Sequence, residues 1–461
     1  MNQPNPVPSL SEVRNQSPAR PQAALSLFDS TCLIVGIIIG AGIYQMAPDI
    51  AKGVGGAWGV IGLWVLGGLL SLCGALSYAE LATAYPQEGG DYVYLGRAYG
   101  KWAGFLFGWA QLAIVRPGDI AVMAFAFATY ARAIYDPMAG SAFPYGQQIY
   151  AVLATLILTV INVMGVKEGK WTQNLLTTVK AAGLLFIVGT AFLTEPRATP
   201  AGTASGSLPF SLALIFVLFT YGGWNEMAYV AAEVRNPRRN IVRALFMGTS
   251  AVILLYLLVN SAFLYLLGHT GLTASSAVAS DAVATALPRA GGALISALIC
   301  ISALGAVNGL IFTGARISYA VGSDHRLFKI LGQWHPKLGT PAAALIVQGA
   351  IAITLIVTLG GFVNAVLYTA ATVYAFYLAS TLAVFVLRRK EPEIERPYRV
   401  WGYPFTPLIF AAVCLFLIHS AATYKPRIAL VSGVLLLLGL PLYRLSNRLS
   451  ANRSDKRIWR E

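Results

Sequence analysis

The chain has 461 residues, 57% of them hydrophobic and only 11% charged. Soluble domains average about 25% charged residues, so this composition excludes an ordinary soluble protein. The formal net charge of +14 would suit a nucleic-acid binder, but where the charges fall gives it another meaning.

In chain order, residues 1–25 are polar, rich in proline and carry Arg14 and Arg20. They lack the apolar core and small-residue cleavage site of a signal peptide and read as a disordered cytosolic tail. Apolar segments of about 20 residues are candidate membrane helices. They fall at 30–51, 57–83, 102–134, 147–166, 172–194, 208–233, 241–268, 284–320, 342–359, 362–387, 403–421 and 428–446. With the N-terminus inside, 25 of the 33 Lys and Arg lie on cytoplasmic segments, six lie outside, and Arg116 and Lys180 fall within spans. That asymmetry is the positive-inside rule, so the basic charge is chiefly a topology signal. The sequence therefore predicts an all-α polytopic membrane protein of about 12 transmembrane helices with both termini cytoplasmic. One membrane domain spans 26–446 and a basic tail follows at 447–461. The four cysteines lie in apolar runs without metal-ligand spacing, so neither a disulfide framework nor a metal or cofactor site is expected.

Two glycine-rich stretches interrupt these spans at matching places. Gly36-Ile37-Ile38-Ile39-Gly40-Ala41-Gly42-Ile43-Tyr44 lies in the first span, and Phe219-Thr220-Tyr221-Gly222-Gly223-Trp224-Asn225 in the sixth. Backbone at membrane depth stops being helical only where protein or a watery cavity satisfies its polar groups. Paired breaks in corresponding helices point to a transporter's substrate site. The spacing implies two five-helix repeats, about 26–194 and 208–387, with extra helices at 403–446. Unwinding near Gly40 leaves N–H groups and a helix dipole suited to a carboxylate. Without Cβ atoms, Gly40 and Gly42 let a ligand approach the backbone. Carbonyls freed near Ile39 and Phe219 would accept from an ammonium. Donors facing acceptors across one small site describe a zwitterion receptor.

These residues resemble the L-type amino acid transporters of the amino acid–polyamine–organocation superfamily, from about Leu27 to Tyr443. Gly40-Ala41-Gly42-Ile43-Tyr44 resembles the family's G-S-G-I-F, and the second break its F-A-Y-G-G-W-N. Further matches are Gly89-Gly90-Asp91-Tyr92, Arg116-Pro117 and Glu395-Arg396-Pro397. The resemblance implies a LeuT-like 5+5 inverted repeat with discontinuous helices 1 and 6. It implies a substrate carboxylate at Gly40, Ala41 and Gly42, and an ammonium at the carbonyls near Ile39 and Phe219. Phe219 would be the lid, Gly222 part of the second break and Asn225 a polar contact. Val115 and Tyr374 would line the side-chain pocket. Animal members form a disulfide with a heavy-chain glycoprotein through a cysteine after the third helix. Residues 134–145 contain none, so by this resemblance a carrier acting alone, as a monomer in the inner (plasma) membrane, is expected.

Charges within spans bear on coupling. A lysine at membrane depth costs about 2.5–3.5 kcal/mol on insertion scales and usually faces the bundle interior. The resemblance places Lys180 where sodium-coupled relatives bind Na⁺, which implies transport without sodium; a snorkelling lysine is the plainer alternative. Arg116 and Asp119, three residues apart, share a helix face and read as a mutual ion pair, or else Asp119 sits at the pocket edge. Glu226 departs from the family pattern, and with Asp119 keeps specificity for polar or cationic substrates, or proton coupling, open. Glu80, Glu88, Asp91, Arg97, Glu233 and Arg235 form either an inner gate or solvated helix ends. The expectation is a sodium-independent exchanger or facilitator of neutral L-amino acids. A proton-coupled or cationic permease is the alternative, and a membrane sensor or membrane-embedded enzyme a remote one.

Overall fold

The computed structural model describes residues 25–458 apart from 88, 139–143, 166–169, 196–206, 230, 289 and 336. Of the tail expected at 1–25, residues 1–24 lie outside the described residues, as does Glu88, whereas Leu25 is held in a backbone bridge to Val234. Ten helices among those described are long and apolar enough to cross a membrane. Helix Lys170–Thr190 and the interrupted segment at 210–233 bring the crossings to twelve. Spans are numbered below in that order.

Local chemistry sets the ends of these helices. Ser26 and Asp29 form a reciprocal capping box at the start of the first span: Ser26 Oγ accepts from Asp29 N at 3.1 Å, and Asp29 Oδ2 accepts from Ser26 N at 3.0 Å. Pro237 occupies the first turn of Pro237–Ala274, where its missing N–H costs nothing. Gly360, left-handed at φ 70°, ends Ala342–Leu359 and turns the chain into Phe362–Lys390.

The boundaries differ from expectation in two places. The segment 284–290 is not part of the eighth span; a separate short helix, Val278–Ala286, precedes Gly291–Asp324. The twelfth helix runs from Pro426 to Ile458, through much of the predicted tail. In the third span, Lys101–Ile134, 78% of the apolar window is buried, against 11% for Pro426–Arg448. The third span is thus the centre of the bundle, and the twelfth presents its side chains to lipid.

At the end of the bundle where the first span begins, buried charges tie the helices together. Glu80, 2% exposed, accepts from Arg388 at 2.8 and 2.6 Å and from the Val400 N–H at 2.6 Å, with Arg396 at 3.8 Å. It therefore joins the second span, the tenth span and the loop beyond. Asp91, also buried, accepts hydroxyl bonds from Tyr78 (2.5 Å), Ser380 (2.5 Å) and Tyr229 (2.9 Å). Tyr85 donates to Glu391 at 2.9 Å, and Arg97 pairs with Glu391 at 3.2 Å. Burial and the Glu391 carboxylate push the Tyr85 hydroxyl up to about 12, so it stays a donor at neutral pH. These charges are bonded partners rather than free helix ends.

Replacing Glu80 by Ala leaves Arg388 and Arg396 without their shared carboxylate. Removing one partner of a buried pair costs about 3 kcal/mol or more. A thermal melt of the detergent-solubilised variant should fall by several degrees, with Glu80→Gln, which keeps the acceptor for Val400 N–H, falling less.

Candidate functional site

The first helix stops at Ile38, with Ile39 at φ −69° and ψ 82°. Three successive isoleucines, stiff at χ1 and poorly suited to a helix, precede Gly40. The chain resumes as Gly42–Gln45 and Ala47–Lys52. The Ile38 carbonyl, cut off from its helical donor, accepts from Gly40 N–H at 2.7 Å and from the Tyr256 hydroxyl at 2.9 Å. Beyond the break, the first N–H groups of the resumed helix have no intrahelical acceptor.

The second break follows Phe210–Thr220. A turn over 221–223 leads into the 3₁₀ segment Trp224–Ala228, with Gly223 at φ 110°. The two breaks lie against each other. A Cβ on Gly42 would stand 2.9 Å from Thr220 Oγ1 and 3.3 Å from Thr220 Cα; one on Gly223 would stand 2.8 Å from Ile37 Cγ2. Close approach thus requires glycine at both positions, and at Gly223 the left-handed backbone requires it as well. Around Gly40 the nearest atom to an added Cβ is Met123 Cε, at 3.4 Å. Gly40, Phe219 and Gly222 are partly accessible, whereas Ile39 and Ala41 are 0% and 4% exposed.

One expectation needs correction. The Phe219 carbonyl is not freed by the break: it accepts the Gly222 N–H at 3.0 Å and closes the turn. It can serve an ammonium only through its second lone pair.

The third span passes this crossing with a widened turn. Gln111–Val115 is π-helical, and Arg116 N–H bonds back to the Gln111 carbonyl. Pro117, lacking an N–H, cannot bond the Ala113 carbonyl four residues earlier. Tyr368 supplies the missing donor at 3.3 Å. Val115, 6% exposed, lies in this turn.

Arg116 does not pair with Asp119. Its guanidinium bonds Glu226 of the second break at 2.9 Å, and its side chain is 7% exposed. Helical side chains lean toward the helix N-terminus, which carries Arg116 away from Asp119, one turn ahead. Glu226, the residue that departs from the resembled pattern, is thus the counter-ion of the Arg116 in its Arg-Pro motif. Asp119 is half-buried and has no ion pair among the described residues.

The other expected site residues divide. Asn225, 9% exposed, accepts from the Tyr377 hydroxyl at 2.8 Å. The Tyr374 hydroxyl donates to the Ile215 carbonyl at 3.3 Å, binding the tenth span to the first half of the sixth. Lys180 is 9% exposed on the fifth span, which packs against the first helix, and its ammonium has no hydrogen-bond partner among the described residues. Its carbonyl accepts from Tyr44 at 3.4 Å, and Tyr130 donates to the Tyr44 carbonyl at 2.5 Å. Sequence reasoning missed Tyr256, Tyr368 and Tyr377; only Pro117 carried a signal, by marking an orphaned carbonyl.

Two outcomes follow for stability. Gly42→Ala forces the half-helices apart and should lower the melting temperature, whereas Gly40→Ala meets only an ordinary contact and should leave it near wild type. Glu226→Gln strands a buried guanidinium at a cost of about 3 kcal/mol. In a double-mutant cycle, Arg116→Gln/Glu226→Gln should therefore melt higher than Glu226→Gln alone.

A family model described as amino acid permease matches residues 25–438. The b(0,+)-type amino acid transporter 1 of Mus musculus is 32% identical over 434 residues, covering 92% of this chain and 88% of its own. The serine/threonine exchanger SteT of Bacillus subtilis (strain 168) is 30% identical over 425 residues, 91% of this chain and 95% of its own. The large neutral amino acids transporter small subunit 2 of Homo sapiens is 29% identical over 433 residues, 91% and 80% respectively.

Proposed function

The chain belongs to the amino acid permease family, and from that premise we propose how it selects and moves its substrate. It is a multi-span membrane transporter of amino acids and not an enzyme. Our reading is sodium-independent exchange or facilitated transport of neutral L-amino acids by alternating access. It acts in the inner (plasma) membrane with both termini cytoplasmic, as one domain over 26–446 built from repeats at about 26–194 and 208–387. The observation that carries this reading is the crossing of the two breaks, with Gly42 on Thr220 and Gly223 on Ile37. In it, Gly40, Ala41 and Gly42 receive the carboxylate. The Ile39 carbonyl and the second lone pair at Phe219 receive the ammonium, and the Phe219 ring covers them. Gly222 and Asn225 complete the second break, while Val115 and Tyr374 bound the side-chain space.

Neutral specificity draws on two supports. Arg116 and Glu226 cancel each other's charge beside the break, and two relatives are named for serine and threonine and for large neutral amino acids. Lys180 fills the place of a sodium ion in this reading. The human relative is named a small subunit; here residues 134–145 contain no cysteine, which supports a carrier without a disulfide-linked heavy chain. A second reading, proton coupling or cationic substrates, rests on Asp119, half-buried and without an ion pair among the described residues.

Uptake of labelled L-amino acids into proteoliposomes tests these points together. Replacing Na⁺ by choline should leave the rate unchanged, and internal amino acid should stimulate it if exchange operates. Lys180→Ala should lose about tenfold or more, the cost of emptying a buried cation position. Sodium-dependent uptake, or full activity in Lys180→Ala, contradicts the reading. Uptake driven by a pH gradient and abolished in Asp119→Asn establishes the second one.

A further inference from the structure

The seventh span carries an unassigned feature on its outer face. The exposed residues Arg239, Arg243, Met247, Leu254, Leu258 and Tyr265 fall within about 100° of arc at 100° per residue. Met247 to Tyr265 covers about 27 Å at 1.5 Å per residue, close to the roughly 30 Å of bilayer hydrocarbon. Met247, Leu254 and Leu258 are 50%, 61% and 42% exposed, and Tyr265, 39% exposed, closes the far end as an interfacial aromatic. This face therefore meets lipid. Arg243 stands about 6 Å beyond Met247 and Arg239 about 12 Å beyond, at and just outside the depth of lipid phosphates.

Both arginines are exposed and have no ion pair among the described residues. Their neighbour Arg238 is neutralised by a two-point bond to Glu395, at 2.9 and 2.8 Å. An open depression of about 500 Å³ is bounded by residues 236–240 and Arg243. Two unneutralised guanidiniums at headgroup level, beside a recess and above an apolar face, suit a phosphate that carries acyl chains. We propose that Arg239 and Arg243 form a binding site for an anionic phospholipid in the leaflet on the side of the chain termini. The acyl chains lie along Met247, Leu254 and Leu258. The site stands apart from the helix breaks and does not depend on the transport reading.

Native mass spectrometry of the detergent-solubilised protein with phosphatidylglycerol or phosphatidylcholine tests it, alongside thermal melts. Wild type should retain phosphatidylglycerol preferentially. Arg239→Gln/Arg243→Gln should lose about tenfold or more in that retention, the order of effect expected of two surface arginines, with phosphatidylcholine unchanged. Arg239→Lys/Arg243→Lys, which keeps the charge, should recover most of it. Equal phosphatidylglycerol retention by wild type and the Gln variant overturns the proposal. So does stabilisation by inorganic phosphate as large as that by phosphatidylglycerol, which would assign the site to a soluble anion.

Discussion

Two helices interrupted at membrane depth can coexist with a folded bundle only if each exposed backbone group finds a partner. That requirement organises this protein. The Ile38 carbonyl is satisfied by Gly40 and Tyr256, and the Phe219 carbonyl by Gly222. Gly42 and Gly223 bring the two breaks into contact. Tyr256 is in turn packed with Trp64 and Tyr221, at ring separations of 5.6 and 5.2 Å, so a rigid aromatic cluster holds the donor in place. Most of the loose main chain is thereby consumed internally, and only a small remainder near Gly40 is left for a ligand.

The same accounting explains the third span. Pro117 removes a donor, the turn widens over Gln111–Val115, and Tyr368 reaches across from the tenth span to the orphaned carbonyl. The widened turn ends at Arg116, whose counter-ion is on the second break. One proline thus links the third span both to the tenth and to the sixth, through a tyrosine and an ion pair. Charge balance at the breaks then rests on a pair of residues separated by 110 positions in sequence.

How much of this the sequence discloses depends on the range of the interaction. The spans, the two breaks and the family are legible because each rests on local apolar runs or short glycine motifs. The start of the eighth span is misplaced because the apolar run extends back across Pro288, whereas the residue before a proline is disfavoured in a helix and Val278–Ala286 ends there. An Arg116–Asp119 pair is the local expectation from spacing, yet a partner far along the chain prevails because the side chain leans the other way. Tyr256, Tyr368 and Tyr377 carry no local signature: their role exists only once distant carbonyls and amides have been brought to them. Phe219 shows the converse. Its motif is evident, but the use of its carbonyl by Gly222 follows from turn geometry that the motif does not encode.

The beginning of the first span and the end of the sixth meet as a short parallel bridge. Leu25 N–H bonds the Glu233 carbonyl at 2.9 Å, and Arg235 N–H bonds the Leu25 carbonyl at 2.8 Å. The inner halves of both broken helices, already packed side by side, are therefore also joined by two main-chain hydrogen bonds. Such a seam is indifferent to side-chain identity, so substitution by any residue with an amide hydrogen leaves it intact, and a scan by alanine would pass over it. Only an imino acid at position 25 or 235 removes one of its donors. The structure thus hides a joint between its two half-helices from the usual mutational probes, and sequence drift at these positions can proceed without loosening it.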